Sequence, residues 1–420
     1  MWNRVKFLPN DALRLMLQVP FRPEKLKING KKVPFMRFET PVRIDDLFAF
    51  TRAQNLFPKV YWEHPHDGVR ACFGEAVSFD ALPVFDEEVG PRFYGGQDFM
   101  IRKEHTWDGF PKERFFLPLI EIEMRGKIAV LCVNRCKKKI KAELQEEKQG
   151  CIGKAIRSEF APTLFQWEDG VNRVLQGIKL GDFSKVVLAR RLTLSQESPV
   201  CPYALLSAMK SKTRFAFQFS PEKTFIGMSP ETLFRREGNT VESAAIAGTR
   251  PRGKTAKEDR HLEDELLNCP KEKREFEVVQ EMIKDALSPL CNQIDVDRKT
   301  VLKTMSVQHL AAFFSGKLRE DVGDGALMEA LHPTPALGGM PRAQALAEIQ
   351  KREPFDRGWY GAPVGWTSSQ AAHFLVGIRS ALIDKAHVHL FSGTGIVEGS
   401  SPEREWEELE SKIKHYQEAL

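Results

Sequence analysis

Residues 214–247 read RFAFQFSPEKTFIGMSPETLFRREGNTVESAAIA, and the reading of this stretch decides the fold. Phe215, Phe217 and Phe219 alternate with Ala216 and Gln218, the period-two mark of a strand with one strongly apolar face. Residues 223–228 continue as strand, and residues 233–247 read as a hairpin around Glu237-Gly238-Asn239. Hairpins in succession mean antiparallel pairing, whereas a parallel nucleotide-binding sheet needs a long crossover between neighbouring strands. The expected class is therefore α+β.

Upstream, residues 1–150 alternate short strand-like runs (57–62, 69–79 and 127–133) with Gly- and Pro-rich turns. The basic run 135–141 leads into AELQEEKQ (142–149), whose composition favours a helix, so it is a solvated face before it is a nucleic-acid patch. Residues 167–180 carry helical apolar spacing, and 184–194 read as strand. Downstream come helices over 255–268 and 270–287. In the second, Phe276, Val279, Met282, Ile283, Ala286 and Leu287 share one stripe and Glu275 lies off it. Prolines make LHPTPALGG (331–339) irregular. A helix over 342–351 and two strands, 363–366 and 373–383, complete this part. With no internal repeat, low-complexity segment or linker, residues 1–420 are expected to form one unit, in which 1–150 completes the sheets and 160–420 carries the motifs.

A net charge of +5, set against 62 basic and 57 acidic residues, points to neither nucleic acid nor membrane as the partner and is compatible with a small anion. Seven widely spread cysteines without a C-x-x-C pair suggest free thiols in a reducing compartment. The N-terminal stretch is interrupted by Asn, Pro and Asp before a signal-peptide core could form, and no run is long enough to span a bilayer. The expectation is a cytoplasmic protein.

The stretch with most chemical content is residues 389–412, HLFSGTGIVEGSSPEREWEELESK. It reads as a strand entering a Gly-x-Gly turn, with Ser401-Pro402 then opening a helix. Gly393 and Gly395 would let backbone N–H groups approach an anion. On the helix Trp406, Leu409 and Ile413 form the packed stripe, while Glu405, Glu408 and Lys412 line its neighbour. Lys185 begins SKVVLAR, a strand apolar on both faces; desolvation there lowers a lysine pKa, making it a candidate base unless it snorkels to water. Glu231 follows a proline at a strand end, where burial would keep it protonated as an acid. Glu275 and Glu408, on separate helices, could share one hard cation, although each alone reads equally as a surface glutamate. His387 and His389 alternate on a strand and lack metal-ligand spacing. Residues 248–255, GTRPRGKT, fit the phosphate-loop pattern of nucleotide hydrolases. Pro251, the antiparallel surroundings and the want of an acidic magnesium partner count against it.

Together SKVVLAR, GMSPETL, AIAGTRPRG, the Glu275 helix, QHLAAFFSG, LHPTPALGG, RGWYGAPVGW, VGIRSAL and GTGIVEGSSPEREWEE resemble the chorismate-utilising enzymes, in particular isochorismate synthases, over residues 160–420. The resemblance implies a large two-sheet, mainly antiparallel sandwich with outer helices and one active site for chorismate and Mg²⁺. By motif, Glu275 and Glu408 would hold the metal, with Glu405 close by. Tyr360, Arg379, Gly393 and Gly395 would hold the enolpyruvyl carboxylate, and Thr249, His309, Thr334 and Lys412 would line the pocket. Lys185 would be the base and Glu231 the acid.

Within this family Ala247 stands where aminodeoxychorismate synthases place a nucleophilic lysine. Lys185 stands where anthranilate synthases usually have glutamine. Both favour water as the nucleophile, so no glutaminase subunit is expected, and the resemblance implies a monomer. Salicylate synthase, which goes on to eliminate pyruvate, is the alternative. Thr394, where alanine is commoner, and Glu398 depart from the family pattern without touching the acid, base or metal positions.

Overall fold

The computed structural model describes residues 7–86, 90–100, 102–145, 153–303 and 307–420. The alternating phenylalanines form the strand Arg214–Gln218, which pairs antiparallel with Lys223–Gly227 on one edge and Lys59–His64 on the other. Phe215 and Phe217 are buried with Trp62, Phe225 and Trp359, whereas Ala216 faces a separate cluster with Tyr203 and Ile383. The period-two pattern thus sorts one strand between two cores. Thr232–Glu237 and Thr240–Pro251 make the expected hairpin, Glu237 opposite Thr240.

The long strand Glu113–Arg125 is where the sheet divides. Along one edge it pairs with Gly68–Phe79, and its other edge is shared between Phe93–Gln97 and Ile128–Arg135. From Gly68–Phe79 one arm runs through Lys59–His64, Arg214–Gln218, Lys223–Gly227, Ser380–Asp384 and His387–Ile396 to Lys185–Gln196. From Phe93–Gln97 the other runs through Pro363–Thr367, Ala371–Val376, Thr232–Glu237 and Thr240–Pro251 to Val307–Leu318. Every one of these pairings is antiparallel. Trp62, Phe215 and Phe391 of the first arm pack with Tyr94, Val364 and Leu375 of the second, so a shared core lies between two layers. Helices cover the outer faces: Pro270–Leu287 lies against the second arm, and Leu164–Leu180 and Pro402–Gln417 lie against the first.

Three expectations need correction. Residues 142–145 are not helical, and 146–149 lie outside the described residues. The run 373–383 is two strands, because Arg379 takes a left-handed backbone (φ 50°) that no regular strand contains. Gly393 and Gly395 are not in a turn; they lie inside the strand His387–Ile396, opposite Ala189 and Val187.

Asp67, in the turn after Lys59–His64, ties the two layers. Its Oδ2 accepts from Trp62 Nε1 at 2.8 Å, Trp366 Nε1 at 3.1 Å and His373 Nδ1 at 2.7 Å. Burial pushes this carboxyl up, but the His373 hydrogen bond and charge, with the two indole donors, hold it far below its ordinary 3.8. Its stabilisation is therefore complete above the unfolded value and is lost as the pH falls. Replacing Asp67 by Asn removes a charged acceptor from three buried donors and is expected to cost about 3 kcal/mol. Denaturant unfolding measures this, and a midpoint equal to wild type would show that the tie contributes nothing.

Candidate active site

One cavity of about 600 Å³ opens between the strand Lys185–Gln196, the end of His387–Ile396 and the helices Pro270–Leu287 and Pro402–Gln417. Its wall contains Lys185, Glu231, Thr249, Glu275, His309, Tyr360, Arg379, Gly393, Gly395, Glu408 and Lys412, gathered from stretches far apart in the chain. Thr334 is not on this wall. It is buried with its hydroxyl unpartnered, and Ala336 and Leu337 of the same irregular segment form the surface instead.

The phosphate-loop pattern is not a phosphate loop. Residues up to Pro251 belong to a strand paired with Val307–Leu318. Beyond it the N–H groups of Gly253 and Lys254 are taken by the carboxylates of Asp259 and Glu258 at 2.9 and 2.8 Å. These N–H groups already donate to carboxylates and are not available to a phosphate.

The two glycines of the C-terminal motif have a steric reason. A Cβ at Gly395 would lie 2.6 Å from Lys185 Cε, and one at Gly393 would lie 2.8 Å from the Tyr360 hydroxyl. Their backbone polarity follows from the neighbouring strand. Val187 N–H donates to Gly338 O, and Ala189 N–H to Glu353, both away from His387–Ile396. In an antiparallel ladder this makes Val187–Gly395 and Ala189–Gly393 non-hydrogen-bonded pairs, so the glycine N–H and C=O groups point to the opposite edge. Ladder pairing on that edge stops at Leu390. Lys412 Nζ accordingly reaches Gly393 O at 2.7 Å.

Lys185 is buried and donates to Glu275 Oε1 at 2.7 Å. Burial raises Glu231 to about 7 against the opposing charge of Lys185, so acid and amine share one local field. The Glu231 backbone is braced at both ends by Ser229, whose hydroxyl accepts from its N–H and donates to its carbonyl. On the C-terminal helix, capped by Ser401 as its sequence suggests, Glu408 accepts from Lys412 at 2.5 Å and buried Glu405 accepts from Thr394 Oγ1 at 2.5 Å. Partial burial pushes Glu408 up, but Lys412 holds it below the usual carboxylate value, and the charge of Glu275 acts on it in opposition. Glu275, Glu405 and Glu408 all line this cavity, and carboxylate oxygens are the donor type that a hard divalent cation takes.

Burial lowers His309 to about 4, with Arg379 and Lys412 adding to the effect, so the ring is neutral near pH 7. Its Nδ1 lies 3.1 Å from Thr249 Oγ1. Burial also lowers the Arg379 guanidinium pKa. Sequence reasoning missed Glu272, which accepts from Arg250 Nη1 at 2.8 Å and the Thr249 N–H at 3.3 Å. Its spacing three residues before Glu275, on the same helix face, was the available signal. His64, Asp67 and His373 also bring ligand-type atoms within 4.8 Å of one another. Asp67 Oδ2 already serves three donors there, and both His373 nitrogens have partners, so the group is a structural tie.

A family model described as "Chorismate binding enzyme" matches residues 62–420. The isochorismate synthase MenF of Bacillus subtilis is 36% identical over 366 residues, covering 80% of this chain and 77% of that protein. The one from Pasteurella multocida is 31% identical over 389 residues, covering 87% and 88%. The solved structure of the menaquinone-specific isochorismate synthase MenF from Escherichia coli aligns with a TM-score of 0.82 and 26% identity, over 97% of this chain and 98% of its own.

The buried imidazole gives a test independent of any reaction. Histidine-selective NMR should find His309 titrating near pH 4; a midpoint at its ordinary value would mean that the ring is solvated.

Proposed function

Because the chain belongs to the chorismate-binding enzyme family, we propose that it is an isochorismate synthase, an isomerase that moves the ring hydroxyl of chorismate with net exchange of one water for another. The observation that carries this reading is the meeting of Lys185, the acid Glu231 and the carboxylates Glu275 and Glu408 on one cavity wall. Lys185 would take a proton from water as it adds to the ring carbon beside the carboxylate-bearing one. The double bonds shift, and Glu231 would protonate the hydroxyl leaving from the far end of the diene. Each transfer would contribute about 10² to 10⁴ in rate.

The Gly393 and Gly395 N–H groups, with Arg379 and Tyr360, would hold the enolpyruvyl carboxylate. Arg379 projects from the break in its strand, and Tyr360 is stacked on Phe391. Thr249, His309 and Lys412 would shape the remaining wall; His309 Nδ1 donates to Gly248 O at 3.2 Å, so the neutral ring would turn an uncharged acceptor nitrogen to the cavity. Glu275 and Glu408 would hold Mg²⁺, which when bound supplies positive charge to neutralise and orient the ring carboxylate. The first 150 residues complete the sheets, and the enzyme would work as a monomer in the cytoplasm without a glutaminase subunit. Ala247 on the cavity wall leaves no amine there to attack the ring.

Incubation with chorismate and Mg²⁺, followed by mass spectrometry, should yield isochorismate; salicylate plus pyruvate, or unchanged chorismate, would overturn the assignment. Lys185→Ala and Glu231→Gln should each lower kcat by about 100-fold or more, and near-normal turnover in both would reject the acid and base. Because Glu231 must carry its proton, kcat/KM should fall as the pH rises through about 7. Gly395→Ala should likewise lower kcat by about 100-fold, by displacing Lys185 while the sheet stays intact. Circular dichroism and a turnover assay on the same sample separate that loss from unfolding.

A further inference from the structure

Each of the two carboxylates assigned to the cation already carries an ammonium group. Lys185 reaches Glu275 from the strand Lys185–Gln196, with side-chain exposures of 5% and 23%. Lys412 reaches Glu408 from one turn along the same helix. The two pairs differ in what holds the lysine elsewhere. Lys412 Nζ also donates to Gly393 O, so it can lose Glu408 and stay where it is. Lys185 passes over Gly395, where only a missing Cβ leaves space for its Cε and Nζ. Among the described residues, Lys185 Nζ has no hydrogen-bond partner apart from Glu275.

We propose that Lys185 and the divalent cation compete for Glu275, so that loading the cation site breaks the Lys185–Glu275 ion pair and delivers the amine to the reacting face of the cavity. The inference rests on the reading of Glu275 and Glu408 as cation ligands. Its physical basis is that an ammonium 2.7 Å from a carboxylate oxygen occupies the place, and repels the charge, of any cation bound to that oxygen. Glu231 lines the same cavity as Lys185, so an amine released from Glu275 has the acid within the same enclosure. The base is then presented only in a cavity that also holds the charge needed to bind the substrate carboxylate. By linkage, removing the amine must strengthen cation binding by the factor by which the pair weakens it.

The probe is Mn²⁺, titrated by calorimetry and by loss of the free-ion EPR signal, with the full chain and no substrate. Lys185→Met should bind Mn²⁺ about 5-fold or more tightly than wild type. Arg250→Met removes a positive charge from the same cavity that is paired with Glu272 instead, and should change the affinity by less. Equal affinity in wild type and Lys185→Met, or an equal gain in both variants, would overturn the competition. Glu275→Gln and Glu408→Gln should abolish binding. If they do not, the ligand reading itself fails; if they do while Lys185→Met is unchanged, only the competition fails. A measurement on unmodified protein guards against a variant that does not fold. Reductive methylation with isotopic formaldehyde, read by peptide mass spectrometry, should label Lys185 faster with Mn²⁺ present, and an unchanged rate would equally overturn the proposal.

Discussion

The cavity depends on where one strand directs its backbone. Val187 and Ala189 turn their N–H groups away from His387–Ile396, and this alone leaves the polar groups of Gly393 and Gly395 facing outward from the ladder. The arrangement is enforced by a buried pair. Glu353 accepts the Ala189 N–H at 2.7 Å, while Arg357 donates to Val187 O and Leu337 O, both at 2.8 Å. Glu353 and Arg357 also bind each other, with side chains 4% and 1% exposed. Removing one member of such a pair typically costs about 3 to 5 kcal/mol. Here the same loss would also free the strand to pair differently and close the cradle.

This pair lies outside the cavity, yet it fixes three of its walls. It sets the strand that begins with Lys185, the irregular segment that supplies Leu337, and through the ladder the two glycines. A catalytic constellation needs tolerances of a fraction of an ångström, and such tolerances come from side chains locked by their own partners. The Ser229 brace on Glu231 and the Thr394 bond to Glu405 work in the same way. Thr394 therefore supports a carboxylate, that of Glu405.

Much of this was legible in the sequence, for physical reasons that can be named. Phenylalanines at every second position can bury one face only as a strand, and Pro402 after Ser401 can hardly be anything but a helix start. The burial of Lys185 and the raised pKa of Glu231 follow from the strand and strand-end settings readable in the sequence. What stayed hidden was set by partners far along the chain. A Gly-x-Gly reads as a turn unless the facing strand is known, and here the glycines are needed for Lys185 and Tyr360 to pass. Thr334 was expected on the wall from the family resemblance alone, and an irregular segment turns only some of its side chains, here Ala336 and Leu337, to the cavity. The Lys185–Glu275 contact joins residues 90 positions apart and has no local signature.

The left-handed backbone at Arg379 is held from two sides: its carbonyl accepts from the Met228 N–H and from the hydroxyl of Tyr416, both at 3.0 Å. Tyr416 belongs to the last turn of the final helix, and Arg379 in turn donates to Lys412 O on that helix. The final helix is therefore the clasp of Arg379, the guanidinium proposed to hold the substrate carboxylate. Trimming or tagging that disturbs this turn would be felt in substrate affinity well before it was felt in folding.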